Sequence, residues 1–369
     1  MYLCLNCQAC HTACPNGVRV GEMVERTRAE LRRNTPTPLF RRMIHRLVLG
    51  WLLGRHWRVE LAAGLLRLYQ RLGLGALVRR LGALGLLPAG LAAKEALLPI
   101  LPRRFLRREI PLVTPAKGER RGAVGIFLGC IMNTLYADVT RATIRVLAEN
   151  GYDVMVPKDQ RCCGAPHLAE GEEEMAHDLM RHNVSLFAEY GVEAIVSDCA
   201  ACGAETKKTA LHLHGDSLQE EAARFSERAV DVNEFLARLP LRPPRGEVQA
   251  RVCYHDACHL RHSQGIRDEP REILRAVPGL DLIEMKDSDT CCGSAGSYMI
   301  THPGVAGALL EDKMNSAAET GADIIAAANP GCLMQIGYGA RRRGFSARVL
   351  HPIQLLAAAY RSEDKKNPE

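Results

Sequence analysis

The chain has 369 residues, 48 Lys+Arg against 42 Asp+Glu for a formal net charge of +6, 47% hydrophobic and 24% charged residues, and 14 cysteines. That length buries a sizeable core and predicts two or three domains of ordinary soluble composition. No apolar run reaches the ~18–20 residues that span a bilayer; the nearest, Gly82 to Ala93, is interrupted by Pro88. The start, MYLCLNCQAC, lacks the basic and then apolar regions of a signal peptide. A cytoplasmic chain, at most peripheral to the membrane, is therefore expected. Disulfide scaffolds suit small, core-poor secreted domains, so thiols this numerous point to metal or redox chemistry in a reducing compartment.

The first element is a cysteine run. Cys4, Cys7, Cys10 and Cys14-Pro15 spell C-x2-C-x2-C-x3-C-P, the bacterial ferredoxin run. Three closely spaced thiolates wrap three corners of a [4Fe–4S] cluster, and iron suits them because both partners are soft; zinc is the lesser alternative. In two-cluster ferredoxins the fourth cysteine serves the other cluster, and this chain shows a single run. Either all four thiolates hold one cluster or a second run precedes Met1, and the second explanation is preferred. Residues 18–34 read as an amphipathic helix leaving this segment, 1–35, before Pro36 and Pro38 break the chain.

Residues 36–117 form a basic, leucine-rich helical region. Leu39 to Pro111 carries fourteen Lys/Arg against three acidic residues, a surplus of eleven positive charges in a chain whose total is +6. Leu61, Leu65, Leu68 and Leu72 recur at one-face helical spacing. One reading is a helical subdomain packed on its neighbours with solvated arginines. The other is a basic amphipathic surface that lies on an anionic bilayer or docks a partner. Nucleic acid is not expected as a partner, because the arginines alternate with leucines rather than exposed aromatics.

From residue 118 a pattern appears twice. In 118–246, AVGIFLGC ends at Cys130, DVMVP leads to Cys162-Cys163-Gly164, and AIVSDC ends at Cys199, followed by Cys202. In 247–361, VCYHDAC ends at Cys258, LIEM leads to Cys291-Cys292-Gly293, and DIIAAANPGC ends at Cys332. The upstream cysteine precedes the pair by 32 and 33 positions in the two copies. A helix pattern follows each cysteine site. Alternating β and α elements predict parallel sheets, with every cysteine at the carboxyl end of a strand, where open α/β sheets build their sites. Glycine after each pair allows close backbone approach. The expected fold is α/β: a partial ferredoxin-like helical cluster domain, then two pseudo-repeated lobes with parallel sheets. Residues 362–369 read as a polar, disordered tail.

The copies differ by one ligand. Where the first has Cys199-x2-Cys202, the second has Cys332-Leu333-Met334-Gln335. His255, His259 and His262 surround Cys258 without counterparts in the first copy; a structural or supporting role is the first expectation for each, ligation the second. Cys253 reads as a buried strand cysteine.

At these residues the chain resembles the cysteine-rich CCG domain family, which includes the cysteine-rich subunit of heterodisulfide reductase, a subunit of the anaerobic glycerol-3-phosphate dehydrogenase and lactate-utilisation proteins. Within it, TCCGSAGSYMITHPGVAGALLEDK, ANPGCLMQI, YHDACHLRHSQGIRDEPREIL and LHPIQLLAAAYR are most similar to the glycolate oxidase iron–sulfur subunits. The resemblance implies a subunit passing electrons from a flavin-containing dehydrogenase subunit toward the membrane quinone pool. It also implies a noncubane [4Fe–4S] cluster at Cys130, Cys162, Cys163, Cys199 and Cys202. At Cys258, Cys291, Cys292 and Cys332 it implies an ordinary cluster, a zinc, or nothing. No G-x-G-x-x-G follows a strand to open a helix, so hydride removal is expected from a partner. A thiol–disulfide reductase and a non-catalytic metal-binding scaffold are the alternatives.

Overall fold

The computed structural model describes residues 2–36, 38–73 and 97–366. The Gly82–Ala93 run lies outside the described residues. At the N-terminus a short helix α1 (Ala9–Ala13) is followed by α2 (Val20–Asn34), which buries Val24, Arg28 and Ala29. Helix α3 (Leu39–His45) runs into a wider π turn (Arg46–Leu52), followed by α4 (His56–Arg71) and α5 (Leu106–Glu109).

The first lobe has strands β1 (Val113–Thr114), β2 (Gly122–Ile126), β3 (Tyr152–Met155), β4 (Ala194–Ser197) and β5 (Ala229–Asp231). They are joined by α6 (Cys130–Thr134), α7 (Ala137–Glu149), α8 (Ala165–Ala169), α9 (Glu173–Ala188), α10 (Ala200–His212) and α11 (Gln219–Arg228), with α12 (Val232–Ala237) following β5. The sheet order is β1-β3-β2-β4-β5; β1 is antiparallel to β3 and all other pairs are parallel. Strand β4 is buried along its whole length, as expected of a central parallel strand covered on both faces.

The second lobe repeats this plan. Strands β6 (Ala250–His255), β7 (Leu280–Ile283), β8 (Ile324–Ala327) and β9 (Arg348–Leu350) form an all-parallel sheet of order β7-β6-β8-β9. Its helices are α13 (Cys258–Gln264), α14 (Glu269–Arg275), α15 (Tyr298–Thr301), α16 (Pro303–Glu319), α17 (Pro330–Arg343) and α18 (Pro352–Lys366). The order β3-β2-β4-β5 maps onto β7-β6-β8-β9, so the cysteine repeat is a structural repeat.

The lobes interlock. Helix α18 packs on α7, α10 on α13, and α12 on α14. Tyr360 of α18 donates to Arg242 O at 2.6 Å and accepts from Asn150 Nδ2 at 3.3 Å. One continuous core runs through both lobes, which locks the relative placement of the two sets of cysteines.

Three features depart from the sequence reading, and a fourth bears on its two readings of the basic linker. Strand β1 adds an antiparallel edge; two residues are too few for a periodic signal. Helix α11 and strand β5 stand where the sequence reading placed nothing. Helix α18 continues to Lys366, into the stretch read as a tail, since no breaker intervenes before Pro368. In α4, Leu61, Leu65, Leu68 and Leu72 are 52–63% exposed, while His56, Val59, Glu60 and Ala63 face inward. Glu60 selects that orientation. It accepts from Arg107 Nε at 2.6 Å, Arg108 Nε at 2.8 Å and Asn133 Nδ2 at 3.0 Å.

Candidate metal centres

None of the fourteen cysteines is in a disulfide. In the first lobe, Cys130 opens α6, Cys162 and Cys163 lie in the turn before α8, Cys199 is the residue before α10, and Cys202 lies in that helix's first turn. All five are buried. Gly164 has φ +92°, a left-handed turn that a side chain resists and that folds the pair back under the sheet's edge. The Cys202 N–H donates to Cys199 Sγ at 3.4 Å.

The five sulfurs form one hydrogen-bonded chain: Cys130 to Cys162, Cys162 to Cys163, Cys163 to Cys202, and Cys202 to Cys199. Hydrogen bonds from Cys130 and Cys163 hold Cys162 well below the usual thiol range. The Cys162 contact, then burial, pushes Cys130 well above it. The same contact raises Cys163, and contacts with Cys163 and Cys199 raise Cys202. Five buried soft donors gathered at one place are the donor set a multi-metal cluster satisfies.

Two histidines absent from the sequence reading border this site. His167 Nε2 lies 3.0 Å from Leu49 O; burial lowers its pKa, but the adjoining Cys162 more than offsets this and leaves it raised. Burial drives His56 down to about 4, within electrostatic reach of Cys162. An open depression of about 330 Å³, lined by Arg55, Arg58, Arg161 and Met175, reaches His167. His167 stands four positions after Cys163, close enough for the sequence to mark it, whereas His56 comes from α4, far along the chain.

In the second lobe, Cys258 opens α13, Cys291 and Cys292 precede Gly293, and Cys332 lies in the first turn of α17. Gly293 has φ +84°, and a Cβ there would meet Ala306 O at 2.5 Å. Contact with Cys291, then burial, pushes Cys258 up. Cys258 pulls Cys291 down, but Cys292 and burial outweigh it and leave Cys291 at about 12. Gln335, at the position of the missing fifth thiol, is buried and donates to Ala306 O at 3.3 Å. The three histidines divide. His259 Nδ1 lies 3.4 Å from Cys258 Sγ, His262 Nδ1 lies 2.8 Å from Thr12 Oγ1, and His255 Nδ1 lies 3.1 Å from Ser288 O.

The two sites touch through Asn329. Its Oδ1 accepts from Cys199 Sγ at 3.8 Å and from the Ala201 N–H at 3.2 Å, and its Nδ2 donates to Cys332 Sγ at 3.7 Å.

The N-terminal run docks on both lobes. Asn6 and Gln8 take left-handed φ of 54° and 65°, which curls the chain around Cys7. Burial raises Cys7; the Ala9 N–H opposes this, and Cys258, Cys4 and Cys10 add to it. Cys7 therefore shares its field with two cysteines of its own run and with one of the second lobe. Cys14 stands apart from that group: N–H groups of Val18, Asn16 and Gly17 lower its pKa. Buried Arg28 donates to Cys4 O at 2.6 Å and Ala169 O at 3.1 Å, and Tyr298 donates to Leu3 O at 3.0 Å.

Two α/β lobes with thiols at facing sheet edges define a protein of the cysteine-rich domain class, and residues 124–207 and 252–337 match the cysteine-rich domain model. Residues 40–98 match the linker region of the glycolate oxidase iron–sulfur subunit. The chain is 34% identical over 362 residues to the probable glycolate oxidase iron–sulfur subunit of Bacillus subtilis, covering 97% of this chain and 82% of that one. It is 31% identical over 371 residues to the glycolate oxidase iron–sulfur subunit of Escherichia coli, covering 98% and 82%. A third relative, a lactate utilization protein of Halalkalibacterium halodurans, is 29% identical over 244 residues, covering 66% and 99%. The chain belongs to the family of glycolate oxidase iron–sulfur subunits.

Proposed function

We propose that this chain is the iron–sulfur electron-transfer subunit of a glycolate-type 2-hydroxyacid dehydrogenase complex, carrying electrons from a flavin subunit toward the membrane quinone pool. The observation that carries this reading is contiguity. Cys7 and Cys258 interact electrostatically, and Asn329 hydrogen-bonds both Cys199 and Cys332, so the N-terminal run and the first lobe's site both adjoin the second lobe's. The first-lobe set of Cys130, Cys162, Cys163, Cys199 and Cys202 fits a [4Fe–4S] cluster of noncubane type. Cys4, Cys7, Cys10 and Cys14 fit a ferredoxin-type cluster. Such clusters supply one-electron storage at potentials tuned by burial and by hydrogen bonds to sulfur. The protein's own part is to bury the first site, to aim the Cys202 N–H at Cys199 Sγ, and to brace the N-terminal turn through Arg28 and Thr12.

The exposed apolar face supports a peripheral membrane position. Leu61, Leu65 and Leu68 of α4 and Leu39, Phe40 and Met43 of α3 are exposed, with Arg58 stacked on Trp51 at 5.0 Å and Trp57 at 5.3 Å. Apolar side chains rimmed by arginine and tryptophan suit an anionic interface.

The test is anaerobic co-purification with a 2-hydroxyacid-oxidising flavoprotein, followed by glycolate addition under electron paramagnetic resonance. Substrate-dependent reduced-cluster signals support the proposal; iron-free protein, or clusters that glycolate leaves oxidised in the active complex, overturn it. Salt-sensitive flotation with anionic vesicles tests the membrane face separately.

A further inference from the structure

The second lobe lacks the fifth thiol, yet it holds a donor that the first lobe does not. His255 ends β6, three residues before Cys258; the matching residue in the first lobe, three before Cys130, is Phe127. The repeat thus carries a paired exchange. The lobe with Cys202 has phenylalanine at this strand end, and the lobe with Gln335 has histidine.

His255 is fully buried, and its two nitrogens have unlike surroundings. Nδ1 lies 3.1 Å from the Ser288 carbonyl, and a carbonyl only accepts, so the proton sits on Nδ1 and the Nε2 lone pair is free. Nε2 is buried without a hydrogen-bond partner. One ring nitrogen of His255, Cys292 Sγ and Cys332 Sγ all lie within 4.8 Å of one another, and Nε2 is the nitrogen left open by the Ser288 contact. Bonds of about 2.0 Å to nitrogen and 2.3 Å to sulfur let a single ion span such a trio. Among the described residues it is the one group of three His, Cys, Asp or Glu donors packed this tightly. The first-site thiols are spread more widely, as ligands of different metals in a cluster would be.

The second nitrogen is fixed from behind. The Ser288 carbonyl also accepts from the Asp256 N–H at 3.0 Å, and Ser288 Oγ donates to Asp256 Oδ2 at 2.7 Å. Arg271 clamps the same carboxylate at 2.9 and 2.8 Å. A carbonyl that orients one imidazole nitrogen while the other faces thiolates is the outer arrangement of metal-bound histidines.

We propose that His255 is a metal ligand: its Nε2, with the thiolates of Cys292 and Cys332, binds a single divalent ion of zinc-like softness at the second site. A third thiolate from the Cys258–Cys291 pair completes a four-coordinate Cys3His set. The inference bears on the electron-transfer reading: a zinc-type ion carries no electrons, so the second site would brace the lobe interface beside Asn329 while electrons pass between the N-terminal run and the first site without resting on it.

The experiment uses the full chain, purified anaerobically without chelator from zinc-replete medium, with iron and zinc counted per chain and zinc-edge X-ray absorption recorded. The expected result is about one zinc per chain with one nitrogen and three sulfur neighbours. His255→Phe, which installs the first-lobe residue, is expected to cut zinc by tenfold or more and leave iron unchanged. His255→Cys is expected to keep zinc with sulfur neighbours only. Zinc absent from the wild type, a zinc environment without nitrogen, or full zinc retention in a folded His255→Phe variant each overturn the proposal. The wild-type spectrum decides the matter even where a variant fails to fold.

Discussion

Cys199 of the first lobe donates to Asn329 Oδ1 of the second at 3.8 Å. The same side chain satisfies the Ala201 N–H at 3.2 Å and reaches Cys332 Sγ at 3.7 Å, so one residue couples both sites to the lobe interface. Asn329→Leu keeps the volume and removes both functions. It leaves the Ala201 N–H without this acceptor, at a cost of about 1–3 kcal/mol, and strips a hydrogen bond from sulfur. The expected outcome is a lower denaturation midpoint and, because the lost N–H donor served Cys332, weaker metal retention at the second site. Unchanged values in both measurements would show that the bridge is incidental.

Cys162 lies at the centre of the first-site chain, bonded to Cys130 on one side and Cys163 on the other. Cys162→Ser is expected to lose the iron of that site while the N-terminal run keeps its own, read as a partial drop in iron per chain. Full iron with full activity would refute the five-thiol assignment.

Glu60 ties the basic linker to the first site, because Asn133, one of its donors, lies one turn after Cys130. Burial raises its pKa, but hydrogen bonds from Arg107 and Asn133 outweigh burial and hold it below the usual carboxylate range. A depressed folded pKa gives stability that is present above the unfolded value of about 4.3 and lost as pH falls through the folded one. Glu60→Gln is expected to cost about 2 kcal/mol at pH 7. Arg108, largely exposed, adds little to this. The deficit should shrink in acid. A deficit constant from pH 7 down to pH 3 in urea denaturation contradicts this.

Asp231 has the opposite sign. Burial pushes its pKa up to about 7, against the pull of Asn233 and then Lys207. It caps α12 by accepting from the Asn233 N–H at 2.8 Å, while its Oδ2 is buried without a hydrogen-bond partner. A raised folded pKa gives stability that is complete below the unfolded value of about 3.9 and lost as pH rises through about 7. Asp231→Asn keeps a capping oxygen and removes the titration. The variant is expected to gain on the order of 2 kcal/mol over the wild type at pH 8 and nothing at pH 4. Parallel stability profiles across that range would rule out the buried-carboxylate account.

The spacing of the cysteines and the strand–cysteine–helix rhythm were legible in the chain because both are local. A strand ending at a cysteine, a glycine after each pair and a helix opening beyond it are written within a few residues. The duplicated plan β3-β2-β4-β5 and β7-β6-β8-β9 follows from that rhythm. The leucine stripe at Leu61, Leu65, Leu68 and Leu72 was equally visible but left open whether that face is buried or exposed. Periodicity reports that a face exists, whereas the buried contact of Glu60 with Arg107 and Asn133, 47 and 73 residues away, decides which face turns inward.

The sequence by itself determined the inventory: four thiols at the start, five in one lobe, four in the other, and three histidines near Cys258. Tertiary structure alone decided what each one meets. His262 reaches Thr12 across 250 positions, and Asn329 reaches Cys199 across 130. His255, one of three histidines with equal claims in the chain, is the one whose free nitrogen joins Cys292 and Cys332. The physical reason is that a strand end fixes where a side chain begins, while the stacking of two sheets and one shared core fixes what lies opposite it.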